Sequence, residues 1–139
     1  MRAARWRAIL AGGFALISLP AGAADIWSGI YSADQARDGR AIYLTHCAAA
    51  CHVENLMGNG PTPGLAGPDF LLRWEDFSLA ELLDKIRATM PKAAPGSLSE
   101  AEYVATIAYV LAANGFPAGM AALTAERGQL GKIVIAARK

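Results

Sequence analysis

Cysteine and histidine are scarce in this chain of 139 residues, which has two of each. Two cysteines allow at most one disulfide. A closed zinc site needs four ligands, and Cys47, Cys51, His46 and His52 are all the cysteine and histidine that the chain offers for one. The basic residues form no cluster of the kind that binds nucleic acid. No nucleophile with a neighbouring base and no open metal site is evident, so we do not expect an enzyme.

The N-terminus has the layout of a secretory signal. Three arginines precede an apolar run at residues 8–19, and small residues follow as far as Ala24. The run is shorter than the roughly 20 residues of a membrane span, although a retained anchor helix is the alternative. We predict a signal peptide over residues 1–24 and a monomeric periplasmic domain over residues 25–139, without a membrane span after cleavage. Cleavage removes three basic residues and no acid, so the net charge changes from +1 to −2.

Three helices are expected. The first covers residues 33–45 after Ser32 as N-cap, and Gly39 inside it indicates a close packing contact because glycine lowers helix propensity. The second ends before Met90-Pro91, since proline disfavours the α conformation in the residue before it. The third ends at Asn114-Gly115. The second and third helices each start with a capping box, formed by Ser78 with Glu81 and by Ser99 with Glu102.

The segments outside these helices are less regular. Residues 53–69 are rich in glycine and proline and are expected to be a loop that wraps something, followed by a helical turn at 70–73 that carries Trp74 inward. We expect a core at about residues 32–116 and a C-terminal extension at 117–139. Ile133-Val134-Ile135 in that extension suits either an edge strand or an extended segment packed on the body.

The motif that carries chemistry is Cys47-Ala-Ala-Ala-Cys51-His52. Covalent haem attachment normally uses C-x-x-C-H, in which two thiols add to the haem vinyl groups and the histidine ligates iron. Here the cysteines are one residue further apart, which rotates Cys47 by about 100° relative to Cys51-His52 in a regular helix. A π-bulge at residues 48–50, or a non-helical turn there, would bring Cys47 back to the side of the chain that Cys51-His52 occupies.

Other interpretations of the motif remain open. Cys47 and Cys51 suit a strained disulfide with His52 at the surface, or a zinc site with one of the histidines. Haem attached through Cys51 alone, with Cys47 free, is a further possibility.

A sixth iron ligand is expected from methionine, because His46 is too close to His52 in sequence to reach the other face of a porphyrin. Met57 also follows His52 closely, and Met120 lies beyond the third helix. Met90, at a helix end and 38 residues after His52, is the best candidate, although methionine is also common core filler.

Supporting residues can be named as well. Pro63 is expected to offer its carbonyl to the second ring nitrogen of His52, or to be a plain turn proline. Trp74 suits either a hydrogen bond to a haem propionate or core packing. Three basic residues lie near Met90 in the sequence: Lys85, Arg87 and Lys92. They could form a docking patch for a partner protein, pair with the haem propionates, or simply be solvent-exposed charges on the helix.

The order of these motifs resembles class I cytochrome c, which implies an all-α fold around one covalent haem c, with His52 and Met90 as iron ligands. The residues that carry the resemblance are the haem motif, then Pro63, Leu65 and Gly67, then Trp74 and Met90-Pro91 before a C-terminal helix. The run over residues 90–119 is similar to small cytochromes associated with quinoprotein (PQQ-dependent) alcohol or sugar dehydrogenases. The resemblance covers residues 35–135 and implies redox partner proteins, including such a dehydrogenase as electron donor.

We therefore expect a periplasmic carrier of single electrons that passes them from a dehydrogenase to a respiratory acceptor. One alternative is a haem sensor or ligand-binding module in which Met90 is displaced by a gas. Another is a haem-free binding protein with a disulfide between Cys47 and Cys51.

Overall fold

The computed structural model describes residues 24–138, and the predicted signal peptide lies outside them except for Ala24. This part of the chain is all-α, as the sequence predicts: it contains helices and isolated β-bridges but no extended sheet. No helix within it is both long enough and apolar enough to cross a bilayer. After a 3₁₀ turn at Ile26–Ser28, the helices are α1 (Ala33–Tyr43), a π-helix (Leu44–His52), α2 (Pro68–Trp74), α3 (Leu79–Thr89), α4 (Glu100–Ala113) and α5 (Arg127–Leu130).

Both capping boxes predicted from the sequence are present. The Ser78 hydroxyl accepts a hydrogen bond from the Glu81 backbone N–H, and the Glu81 carboxylate accepts one from the Ser78 N–H at 2.8 Å. Ser99 and Glu102 repeat the arrangement at the start of α4. These contacts satisfy backbone donors that the first turn of a helix leaves free, and so they define where α3 and α4 begin.

The centre of the fold is the contact between α1 and α4, and Gly39 is its closest point. A Cβ atom on Gly39 would lie 1.8 Å from the carbonyl oxygen of Ala105, so any larger residue would push the helices apart. The buried side chains around this contact include Tyr43 from α1 and Ile107 and Leu111 from α4. The close packing inferred from Gly39 is therefore confirmed.

The loop at residues 53–67 is fixed to the end of α4 by Asn114. The side-chain amide of Asn114 donates a hydrogen bond to the Leu65 carbonyl at 2.9 Å, and its oxygen accepts one from the Gly67 N–H at 2.9 Å. Gly115 follows with φ of 79°, as the predicted C-cap requires. The next helix is longer than the turn expected at 70–73, because Pro68 suits its first position and the helix continues to Trp74.

The C-terminal extension packs on the body through a short stretch of backbone pairing. Ile135 donates to the Phe77 carbonyl and accepts from the Asp76 N–H, and Ile133 accepts from the Leu79 N–H. Ile133 and Ile135 are buried while Val134 is exposed, which is the alternation of a half-buried extended segment. Of the two possibilities left open by the sequence, the extended segment packed on the body is the one observed.

Candidate functional site

The two cysteines lie in a nine-residue π-helix that continues directly from α1. The π geometry is one of the two solutions expected from the three alanines, and it covers Leu44–His52 rather than residues 48–50 alone. A π-helix bonds residue i to i+5, so its turn holds more residues than the 3.6 of an α-helix. Two residues four apart are then close to the same face. The spacing of Cys47 and Cys51 therefore fits this backbone.

Both cysteines are half-buried and are free thiols, so the disulfide interpretation finds no support here. Burial raises the pKa of the Cys47 thiol to about 11, which keeps it protonated at neutral pH. The zinc interpretation lacks support as well, since residues 24–138 contain no group of three or more metal-ligating side chains placed to share an ion. What remains is a pair of free thiols carried by the same π-helix.

His52 ends the π-helix and is almost fully buried, with 5% of its surface exposed. Its Nδ1 lies 3.0 Å from the Pro63 carbonyl oxygen. Because a carbonyl can only accept, Nδ1 carries the proton and Nε2 keeps its lone pair. Burial lowers the pKa of His52, although the Pro63 carbonyl opposes that shift. A neutral imidazole with one nitrogen held by a carbonyl is the usual state of a histidine that ligates a metal.

Tyr43 also holds this segment through hydrogen bonds to its backbone, a role that was not predicted from the sequence. Its side chain is fully buried, and its hydroxyl donates to the Val53 carbonyl at 2.6 Å and lies 3.3 Å from the His52 carbonyl oxygen. Burial raises the pKa of this phenol, so it stays a donor. A tyrosine on the buried stripe of a helix is the signal that could have predicted this contact, since buried phenols need a partner.

A cavity of about 890 Å³ lies between the π-helix, the 53–67 loop, α2, α3 and α4. Its volume falls within the range of roughly 300–1,000 Å³ typical of ligand and cofactor sites. Cys47, Cys51 and His52 line it together with Pro63. Most of the remaining wall is apolar and is formed by Leu65, Phe70, Trp74, Leu82, Ile86, Ile107 and Val110.

Met90 lines this cavity from the C-terminal end of α3. The other two methionines considered as ligands do not line it: Met57 is 59% exposed on the loop, and Met120 is completely exposed beyond α4. The structure therefore brings Met90 to the same cavity as His52 and leaves its two competitors in solvent.

Trp74 and several charged residues complete the wall. Trp74 is half-buried and packs edge-on against Phe77, with ring centroids 5.8 Å apart. Lys85 and Lys92 lie at the cavity, whereas Arg87 instead pairs with Glu100 at 3.1 Å. The three cations that the sequence grouped together are thus divided between the cavity and an exposed ion pair.

The donor set suits a covalently attached haem. Two thiols, a neutral imidazole and a thioether face one apolar cavity large enough for a flat cofactor. A family model described as cytochrome c oxidase, cbb3-type, subunit III, matches residues 34–110. The chain belongs to this family. It is a c-type cytochrome domain that binds haem c covalently, and the family consists of electron carriers rather than enzymes.

The match covers more than half of the chain, from the start of α1 into α4, and so includes every residue predicted for the site. No significant match was found among curated proteins, and none was found among solved structures. The resemblance to class I cytochrome c is therefore confirmed as far as a c-type cytochrome domain with redox partners. The family match does not extend to an association with a PQQ-dependent dehydrogenase.

Proposed function

We propose that this c-type cytochrome is a periplasmic monohaem carrier in which Cys47 and Cys51 would hold the haem by thioethers and His52 and Met90 would ligate its iron. The observation that carries the proposal is that these four side chains line one apolar cavity. Haem supplies an iron that gains and loses one electron at a time, at a potential that histidine–methionine ligation raises.

The chain's own residues have separate tasks in this proposal. Cys47 and Cys51 would hold the haem covalently, each by addition of its S–H across a vinyl group, with the sulfur on one vinyl carbon and the hydrogen on the other. Pro63 keeps the proton on Nδ1 of His52, at 3.0 Å, and so leaves Nε2 free to bind metal. Met90 fills the remaining ligand position, and Trp74 is proposed to donate its indole N–H to a propionate.

The attachment is tested on protein matured with a cytochrome c assembly system. We expect a mass increase of one haem after extraction of non-covalent haem, and a pyridine haemochrome spectrum typical of two saturated vinyl groups. Cys47→Ala should give the spectrum of one saturated and one free vinyl group. A one-vinyl spectrum for the unaltered protein would show that Cys47 stays free, and the absence of covalent haem would refute the proposal.

The ligand assignment is tested with three matched methionine variants. Met90→Ala should open the ferrous protein to carbon monoxide at neutral pH, whereas Met57→Ala and Met120→Ala should leave it closed, because those two side chains lie outside the cavity. Ready binding of carbon monoxide by the unaltered protein would instead favour the alternative, a sensor or ligand-binding module with a displaceable Met90.

We further propose that the electron donor is a PQQ-dependent dehydrogenase and that a respiratory protein accepts the electrons. The support is the similarity of residues 90–119 to cytochromes associated with such enzymes. Rapid reduction of the ferric protein by a PQQ-dependent alcohol or sugar dehydrogenase with its substrate is the expected result. Reduction no faster than with a flavin dehydrogenase would contradict this choice of donor.

The proposed division of the chain into a signal peptide at 1–24 and a mature domain at 25–139 is tested by cell fractionation and N-terminal sequencing. We expect the protein in the periplasmic fraction, starting at Asp25. A membrane-bound protein that retains the arginine-rich N-terminus would show an anchor instead.

A further inference from the structure

Tyr103 makes a contact that the proposed function does not use. It lies in the first turns of α4 with 1% of its surface exposed, and its hydroxyl donates a hydrogen bond to the Met90 carbonyl oxygen at 2.8 Å. Tyr103 is not part of the cavity wall. The only hydrogen bond of its side chain to a cavity-lining residue, among the described residues, is the one to Met90.

The backbone of Met90 needs such support because the helix ends there. Met90 is extended, with φ of −134° and ψ of 151°, and it is followed by Pro91, which has no N–H. Its own N–H donates to the Ile86 carbonyl at 2.8 Å, which ties the residue to α3. The hydrogen bond from Tyr103 ties its carbonyl to α4. Together they hold the peptide groups on both sides of the Met90 side chain.

The helix that carries Tyr103 is itself held rigidly relative to His52. Two residues further along α4, the Ala105 carbonyl lies so close to Gly39 of α1 that no Cβ fits between them. From α1 the π-helix continues without a break to His52. The position of Met90 relative to His52 is thus defined through packed helices as well as through the cavity.

We propose that Tyr103 is a positioning residue that keeps Met90 at the iron and so keeps the cavity closed to other ligands. This inference rests on the proposed function, in which Met90 is the distal ligand. When the hydrogen bond is lost, the closed arrangement loses stability relative to one in which Met90 has moved away. An external ligand that binds only the open arrangement then binds more tightly, in proportion to the open fraction.

The experiment compares imidazole binding to the ferric holoprotein in the unaltered chain, in Tyr103→Phe and in Tyr31→Phe. Tyr31 is the matched control: it is also buried, and its hydroxyl also donates to a backbone carbonyl, that of Phe116, away from the cavity. Both substitutions keep the aromatic ring and remove one hydrogen bond. Urea unfolding of each variant measures the general loss of stability.

We expect the imidazole association constant to rise between about twofold and about tenfold in Tyr103→Phe, the effect of one hydrogen bond on an equilibrium. The far-red absorption band of methionine-ligated ferric haem should weaken in parallel. Tyr31→Phe should lose a similar amount of stability while its imidazole affinity stays unchanged. Unchanged affinity in Tyr103→Phe, or an equal rise in both variants, would overturn the inference.

A wrong ligand assignment and a wrong role for Tyr103 would give different results. If Met90→Ala leaves the far-red band and the imidazole affinity unaltered, Met90 is not the ligand, and both the assignment and this inference fall. If Met90→Ala abolishes the band but Tyr103→Phe has no effect on ligand binding, only the positioning role of Tyr103 is wrong.

Discussion

Replacing Gly39 with alanine inserts a methyl group at the narrowest point between α1 and α4. The new Cβ would lie 1.8 Å from the oxygen and 2.4 Å from the carbon of the Ala105 carbonyl. Ordinary contact begins at about 3.4 Å, so the helices would have to separate locally by about 1.6 Å. Both obstructing atoms belong to the backbone, which cannot rotate aside as a side chain does.

Two effects of opposite sign determine how Gly39→Ala changes the free energy of unfolding. Alanine is favoured over glycine inside a helix by about 1 kcal/mol. Overpacking typically costs about 1–3 kcal/mol, and a clash between two backbones belongs at or above the upper end of that range. We therefore expect the free energy of unfolding of Gly39→Ala to fall by about 2 kcal/mol.

The assay is urea unfolding of the holoprotein, followed both by far-ultraviolet circular dichroism and by haem absorbance. Arg40→Ala, at the exposed neighbouring position, is the control and should change the free energy of unfolding by less than about 0.5 kcal/mol. If Gly39→Ala is as stable as the unaltered protein, or more stable, the close approach of α1 and α4 is not a rigid feature of the fold.

Three further predictions concern the helix termini and the attachment segment. Ala49 is exposed, and its deletion should convert the π-helix to an α-helix. Because C-x-x-C-H suits α geometry, the pyridine haemochrome assay should still show two thioethers. Loss of either thioether would show that the π-helix is required. Asn114→Ala should lower the free energy of unfolding by roughly 1–3 kcal/mol, because the Leu65 carbonyl and the Gly67 N–H lose their hydrogen-bond partner. An unchanged urea midpoint would contradict this. Hydrogen bonds from Ser78 and Ser99 lower the pKa values of Glu81 and Glu102 in the folded protein. The stability that these hydrogen bonds add is therefore present above the unfolded-state pKa of about 4.3, and it is lost as the pH falls through the folded-state pKa values of the two glutamates. In the double variant Glu81→Gln/Glu102→Gln, the free energy of unfolding should therefore depend less on pH between about 6 and about 3 than in the unaltered protein. The two free energies should converge at low pH. Parallel curves of free energy against pH would refute this role of the two glutamates.

The features predicted best from the sequence are those determined by neighbouring residues. The capping boxes, the end of α3 before Met90-Pro91 and the αL residue Gly115 each depend on three or four consecutive positions. The need for a π-bulge or a non-helical turn also followed from local geometry, because the third alanine between the cysteines rotates Cys47 away from Cys51-His52 in a regular α-helix. Its length did not follow, since the π-helix begins at Leu44, ahead of the motif.

The features that were missed depend on contacts between distant parts of the chain. The hydrogen bonds of Tyr43 and Tyr103 connect side chains to carbonyls whose position is known only once the helices are packed. Asn114 was expected as a helix end and not as the anchor of the 53–67 loop. The short helix α5 was not predicted, because its four residues have no periodicity to detect. For the contacts of Tyr43, Tyr103 and Asn114, tertiary structure rather than local preference is decisive.

The pairing of residues 133–135 with residues 76–79 has a consequence for the order of events during biosynthesis. The start of α3 acquires these backbone partners only when the last residues of the chain have been made. Cys47, Cys51 and His52 precede residues 133–135 in the chain, and so does the π-helical segment that carries them. In a chain that emerges from its N-terminus, these residues come out before the start of α3 gains its backbone partners from residues 133–135. The start of α3 is thus the part of the cavity wall whose backbone contacts depend on the C-terminal extension.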